Sequence, residues 1–167
     1  MRFDKLTTKF QQALSDAQSL AVGADNTAIE PQHLLQALLQ EDNGGAASLL
    51  AKSGVQLNSL KTALAAAIQN LPKSPDASGE VAISRDLNNI LNVTDKLAQK
   101  RGDAYIASEM FLLALADDKG AAGKLLKQNG LNKNALEASI HEVRGDDAVN
   151  DQADESNREA LKKYTLD

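Results

Sequence analysis

No cysteine occurs in this sequence, which excludes disulfide staples, thiolate nucleophiles and cysteine-ligated zinc. Tryptophan is missing too, and three phenylalanines with two tyrosines make up the aromatic content. That is too little for a platform on which nucleic-acid bases stack. No apolar run approaches the ~18 residues that span a bilayer, and MRFDKLTTKF at the start has charges where a secretion signal needs an apolar stretch. These absences predict a soluble cytoplasmic protein with no membrane partner. Asn92-Val93-Thr94 matches a glycosylation sequon but falls inside a predicted helix, and is read as chance.

Charge is scarce as well, once it is located. The net charge is −5, yet residues 146–167 alone hold seven acids and three bases. Residues 1–145 are therefore close to neutral, which leaves no electrostatic footprint for nucleic acid. The absence of long heptad runs fits a monomer.

What is present is alanine and leucine at helical spacing. With only three prolines, that mixture favours helices. Thr7 is placed to cap a first helix carrying Phe10, Leu14, Ala17, Leu20 and Ala21, which stops at Gly23. Pro31 suits the first position of a second helix, because its missing N–H has no partner to lose there. That helix holds Leu34, Leu35, Leu38 and Leu39. A short segment with Leu49 and Leu50 ends at Gly54. A fourth helix runs from about Asn58 through Leu60, Leu64 and Ile68 toward Pro72.

After KSPDASGEVAI (residues 73–83), which reads as a linker, the order repeats. Ser84 is placed as a cap, and Leu87, Leu91, Thr94 and Leu97 take the places of Phe10, Leu14, Ala17 and Leu20. IEPQHLLQALL (29–39) returns as IASEMFLLALA (106–116), with Ser108 as its expected cap. SGVQLNSL (53–60) returns as NGLNKNAL (129–136), with Gly130 standing for Gly54. The offset is 77 residues through the second helix and 76 after it, which marks a duplication. The expected fold is all-α: one compact domain of about eight helices, from two tandem four-helix repeats with pseudo-twofold symmetry. Its bounds are 1–145, with repeat one at 1–72, the linker at 73–83 and repeat two at 84–145. Residues 146–167 form a flexible acidic linker. The leucine-rich helices are apolar nearly all round, so they are natural central elements.

Catalytic chemistry is hard to place. His33 and His141 lie in different repeats, with no metal-ligand spacing around either, so no metal site is expected. GAAGKLL (120–126) has a faint likeness to a phosphate loop, but its glycines are too close and Leu125 replaces the hydroxyl residue. It reads as a turn between helices. The composition points to binding, and AQKRGDAYIASEM (98–110) is the least core-like stretch, mixing charges with Tyr105 and Met110.

MRFDKLTTKFQQALSDAQSLAVGADNTAIEPQHLLQALL, followed by LNVTDKLAQKRGDAYIASEMFLLAL, closely resembles the N-terminal domain of ClpB-type disaggregases, AAA+ chaperones of the Clp family. ALKKYTLD (160–167) looks like the lead into their first ATPase module. The resemblance implies a mobile, non-catalytic domain above a homohexameric ATPase ring. It would engage unfolded or aggregated polypeptides and deliver them to the ATPase modules of the same parent chain. ATP, Mg and cooperation with the DnaK system would belong to other parts of that parent.

On the matching motifs, the resemblance implies a substrate site of Thr7, Val93, Leu97, Asp103, Tyr105, Glu109 and Met110. Val93 and Met110 replace leucines usual in the family. Thr7 also has a simpler reading as a helix cap, and Asp103 as a turn residue after Gly102. A second possibility is a docking module for a folded adaptor, as in similar domains of protease-linked unfoldases.

Overall fold

The computed structural model describes residues 2–41, 45–74, 81–145 and 148–155. After a 3-10 turn at Phe3–Lys5, the helices are α1 (Thr8–Gly23), α2 (Pro31–Gln40), α3 (Gly45–Lys52), α4 (Leu57–Gln69), α5 (Arg85–Lys100), α6 (Ser108–Ala116), α7 (Ala121–Gln128) and α8 (Lys133–Arg144). The starts of α1 and α2 map onto those of α5 and α6 at 77 residues, and those of α3 and α4 onto α7 and α8 at 76. The helices thus carry the register read from the sequence.

The caps follow the same logic. The Thr7 hydroxyl accepts from the Phe10 N–H, and the Ser84 hydroxyl accepts from the Leu87 N–H. Each satisfies one of the orphan donors at a helix start.

Two short parallel pairings join the halves crosswise. Strand β1 (Ala28–Ile29) pairs with β2 (Ala82–Ile83), Ile29 opposite Ile83, while Leu6 bridges to Ile106 in the same sense. Adding the repeat offset to Leu6 and Ile29 gives Ile83 and Ile106, so these are one contact made twice. The Thr7 N–H donates to the Ile106 carbonyl at 3.0 Å, and the Ser84 N–H donates to that of Ile29 at 3.0 Å. Residues 82–83, expected to be linker, are therefore a strand. Positions 75–80 of that linker lie outside the described residues.

A second crossed pair sits where α3 and α7 end. The Gln56 N–H donates to the Asn129 carbonyl at 2.8 Å, and the Asn132 N–H to the Ser53 carbonyl at 3.2 Å. Gly54 and Gly130 lie between these bonds with φ of +95° and +103°, just past their helix ends, where glycine avoids the Cβ penalty.

The core is continuous across both repeats. In α6 all nine residues are buried, and in α2 eight of ten are. α2 packs against α1, α3, α4, α5 and α7, and α6 against α3, α5, α7 and α8. The rings of Phe10 and Phe111 meet with centroids 6.1 Å apart, within the range of favourable tilted pairs.

The end of the described chain departs from expectation. The acidic linker 146–167 lies largely outside the described residues, but 148–155 pack on the domain. Val149 is buried, as is Glu155. Here local pairing and burial override a composition that reads as solvated.

Candidate functional site

Two regions concern the expected site residues. The first is a cleft of about 640 Å³ between the starts of α2 and α7, the face of α5 and the end of α6. Val93 lies on its wall with Ile90, Leu71 and Ala122. At 46% exposure Val93 is one of three large apolar side chains left open among the described residues. Glu30, Asp86, Asp117 and Asp118 also line the cleft with Lys119, and Asp117 is paired with Lys133 at 2.6 Å. An apolar wall inside an acidic rim suits an apolar segment flanked by basic residues.

The cleft depends on how closely α7 approaches α6. A Cβ on Gly123 would fall on the Asp118 carbonyl oxygen and stand 2.8 Å from that of Leu115. Glycine is needed there for packing, which accounts for the loop-like GAAGKLL.

The second region surrounds residues 148–155. The Arg144 guanidinium donates from Nε to Glu109 Oε1 at 2.9 Å and from Nη1 to Asp103 Oδ1 at 3.1 Å. Its side chain is 6% exposed. Burial opposes its charge, but Glu109 and Asp103 outweigh that and hold its pKa above the ordinary value. Arg144 Nη2 has no hydrogen-bond partner among the described residues. The Val149 N–H donates to Asp103 Oδ1 at 3.0 Å.

Glu155 closes this region. Its Oε1 accepts from the Thr7 hydroxyl at 2.8 Å and from the Ser108 N–H at 3.0 Å. The α6 N-cap is Ala107, which has no side chain to cap with, so a carboxylate 47 residues away does it. Ser108, the expected cap, is instead the first helical residue, and its hydroxyl has no partner among the described residues. Burial, then the nearby Glu109, pushes the Glu155 carboxyl up to about 7, against the donors Ser108 and Thr7.

The first repeat closes the same position by itself. Glu30 and His33 form a reciprocal capping box on α2, with Pro31 supplying no N–H at the position of Ser108. His33 Nδ1 accepts from the Glu30 N–H at 2.8 Å, so Nε2 is the donor to Asn26 Oδ1 at 2.7 Å. Asn26 occupies the repeat position of Asp103.

The seven expected site residues therefore do not form one surface. Val93 lies in the cleft, and none of the other six lines it. Thr7, Asp103, Tyr105 and Glu109 gather around the returning segment. The Tyr105 N–H donates to the Val149 carbonyl at 3.2 Å, and Lys5 Nζ lies 5.7 Å from the Tyr105 ring centroid. Leu97 is half-buried against the core. Met110 is a correction: it is fully buried within α6 and offers no groove wall, because that helix is enclosed on every side.

Sequence reasoning missed Arg144, Glu155 and the acidic rim. The first two act on partners 41 and 148 positions away, a distance at which helical periodicity carries no signal. Among the described residues no group of three or more histidines or carboxylates could hold a metal ion. No helix there is long and apolar enough to cross a membrane.

Residues 5–129 match the family described as the Clp repeat (R) N-terminal domain. Over 167 residues the chain is 50% identical to a chaperone protein ClpB of Pseudomonas putida, covering all of this chain and 20% of that protein. It thus spans about a fifth of the length of the curated relatives it matches. The Hsp104 N-terminal domain of Candida albicans superposes with a TM-score of 0.77 at 20% identity, over 89% of this chain and 97% of that one. A ClpV N-domain in complex with a VipB peptide superposes with a TM-score of 0.69 at 22% identity, over 87% and 91%. With the repeat architecture and the family match in agreement, this chain belongs to the Clp N-terminal domain family.

Proposed function

We propose that this domain is the substrate-engaging module of a ClpB-type disaggregase, binding exposed apolar segments of unfolded or aggregated polypeptides. The observation that carries the reading is Val93, an exposed apolar side chain on the wall of an open, acid-rimmed cleft. A structurally similar N-domain in complex with a peptide supports polypeptide as the ligand class. Each contact is weak alone, and avidity arises from the six copies of a homohexameric parent. The domain performs no chemistry. ATP and Mg act in ATPase modules of the parent chain in the cytoplasm, and the DnaK system meets the parent elsewhere.

Titrating the isotope-labelled chain with a permanently unfolded polypeptide tests this. Signals of Ile90, Val93 and Ala122 should shift, and Val93→Asp should weaken binding about tenfold or more. Responses confined to residues remote from the cleft would refute the assignment. Binding to a folded protein with no response to the unfolded one would make the domain an adaptor-docking module instead.

A further inference from the structure

Residues 149–155 lie over the domain as a ligand lies in a seat. Val149 is 2% exposed; its N–H donates to Asp103 Oδ1, and its carbonyl accepts from the Ala104 N–H at 2.7 Å. Gln152 presents its carbonyl to the Thr8 N–H at 2.9 Å. Glu155, six positions after Val149, enters between Thr7 and Ser108. These are the marks of peptide recognition: main-chain bonds for affinity, with side-chain pockets for selection. Between the two plugs, Asp154 accepts from the N–H groups of Asn150 and Asp151, so the strap closes a turn of its own. The first repeat seals the matching helix start with its own Glu30 and Pro31. Only the second repeat leaves it to a returning segment.

We propose that Val149–Glu155 is a detachable internal ligand of a polypeptide-docking seat. A segment of another chain that can form the same turn, offering an apolar side chain and a hydrogen-bond acceptor six positions on, takes the same seat when the strap leaves. The proposal rests on the reading that this domain takes polypeptide, but it concerns a surface distinct from the Val93 cleft.

Electrostatics support a weak hold. The charged group that bears on Glu155 is Glu109 of α6, while Thr7 and Ser108 offer uncharged donors. Arg144 of α8 is engaged by Glu109 and Asp103. On the 3-10 turn, the Asp4 carbonyl accepts from the Gln152 side chain at 3.4 Å, and the strap carries Asp151 and Asp154 itself. Because the docked carboxyl has its pKa raised from 4.5 to about 7, docking is fully favourable below 4.5. It weakens as pH rises through about 7.

Hydrogen exchange on the whole chain reads the strap directly. The N–H groups of Thr8, Ala104 and Val149 should exchange at least about tenfold faster than core amides of α6, because local opening needs less free energy than global unfolding. Corrected for intrinsic rates, their opening should increase roughly fortyfold from pH 5 to pH 7. Glu155→Gln should remove that increase. The octapeptide AVNDQADE, added in trans, should bind the Glu155→Ala chain about tenfold more tightly than the wild type. Exchange of the three amides only with the core, or no gain for the peptide in the variant, overturns the proposal. Neither readout contains an unfolded substrate, so failure at the Val93 cleft is scored separately.

Discussion

The carbonyl oxygen of Gly54 lies 2.5 Å from where a Cβ on Gly130 would stand, while the reverse distance, from Gly54 to the Gly130 carbonyl, is 3.1 Å. The two glycines meet where α3 and α7 end, and their near-symmetric contact is tighter on one side. Gly130→Ala should therefore cost more than Gly54→Ala. Both put a side chain at positive φ and toward backbone, but the first drives it closer than a real Cβ contact allows, while the second asks its neighbour to give by a few tenths of an ångström. We expect about 3 kcal/mol for Gly130→Ala and about 1–2 kcal/mol for Gly54→Ala in urea denaturation. Equal losses would show that the close approach contributes nothing.

Arg144 pairs with two buried carboxylates, Asp103 and Glu109, and removing it deletes both of these ion pairs. Arg144→Ala should cost about 3–5 kcal/mol, the range for breaking a buried ion pair by deleting one partner. The triple replacement Arg144→Met, Asp103→Leu, Glu109→Met should recover much of that loss, since apolar residues of similar volume carry no desolvation cost. Chemical denaturation of both variants is the measurement. A triple variant no more stable than Arg144→Ala would refute the ion-pair account.

His33 sets an acid limit on stability. Burial lowers its pKa below the ordinary 6.5, and its Nδ1 already accepts from the Glu30 N–H. A group whose folded pKa is depressed takes up its proton more readily when unfolded. The His33 contribution is thus present above about 6.5 and lost as pH falls through the folded value. NMR titration of the His33 ring should show the neutral tautomer, with its proton on Nε2, persisting below pH 6.5. A midpoint at or above 6.5 would contradict this.

Helix order, the caps Thr7 and Ser84, and the 77-then-76 register were legible because each leaves a local mark: a period, a hydroxyl before it, a glycine after it. Val93 was legible as an open apolar position through family resemblance. The cap on α6 was not, because Ser108 has the right chemistry one residue late and the real acceptor arrives from Glu155. Nor was the crosswise pairing, since strands of two residues are too short to show an alternating period. Met110 looked like a binding residue because methionine suits adaptable surfaces, but burial is decided by neighbouring helices that its own segment does not reveal. Residues 148–155 read as solvated because composition counts charges without seeing the donors that receive them.

The crossed pairings of Leu6 with Ile106 and Ile29 with Ile83 have an implication for ancestry. Each half lends the segment before its first helix to the segment before the other half's second helix, so neither half is complete alone. A single ancestral copy would have found the same partners in a second molecule of itself. Gene fusion would then have converted a two-molecule handshake into one chain, freeing the two helix starts to diverge: one sealed by its own residues, the other left to be closed from outside.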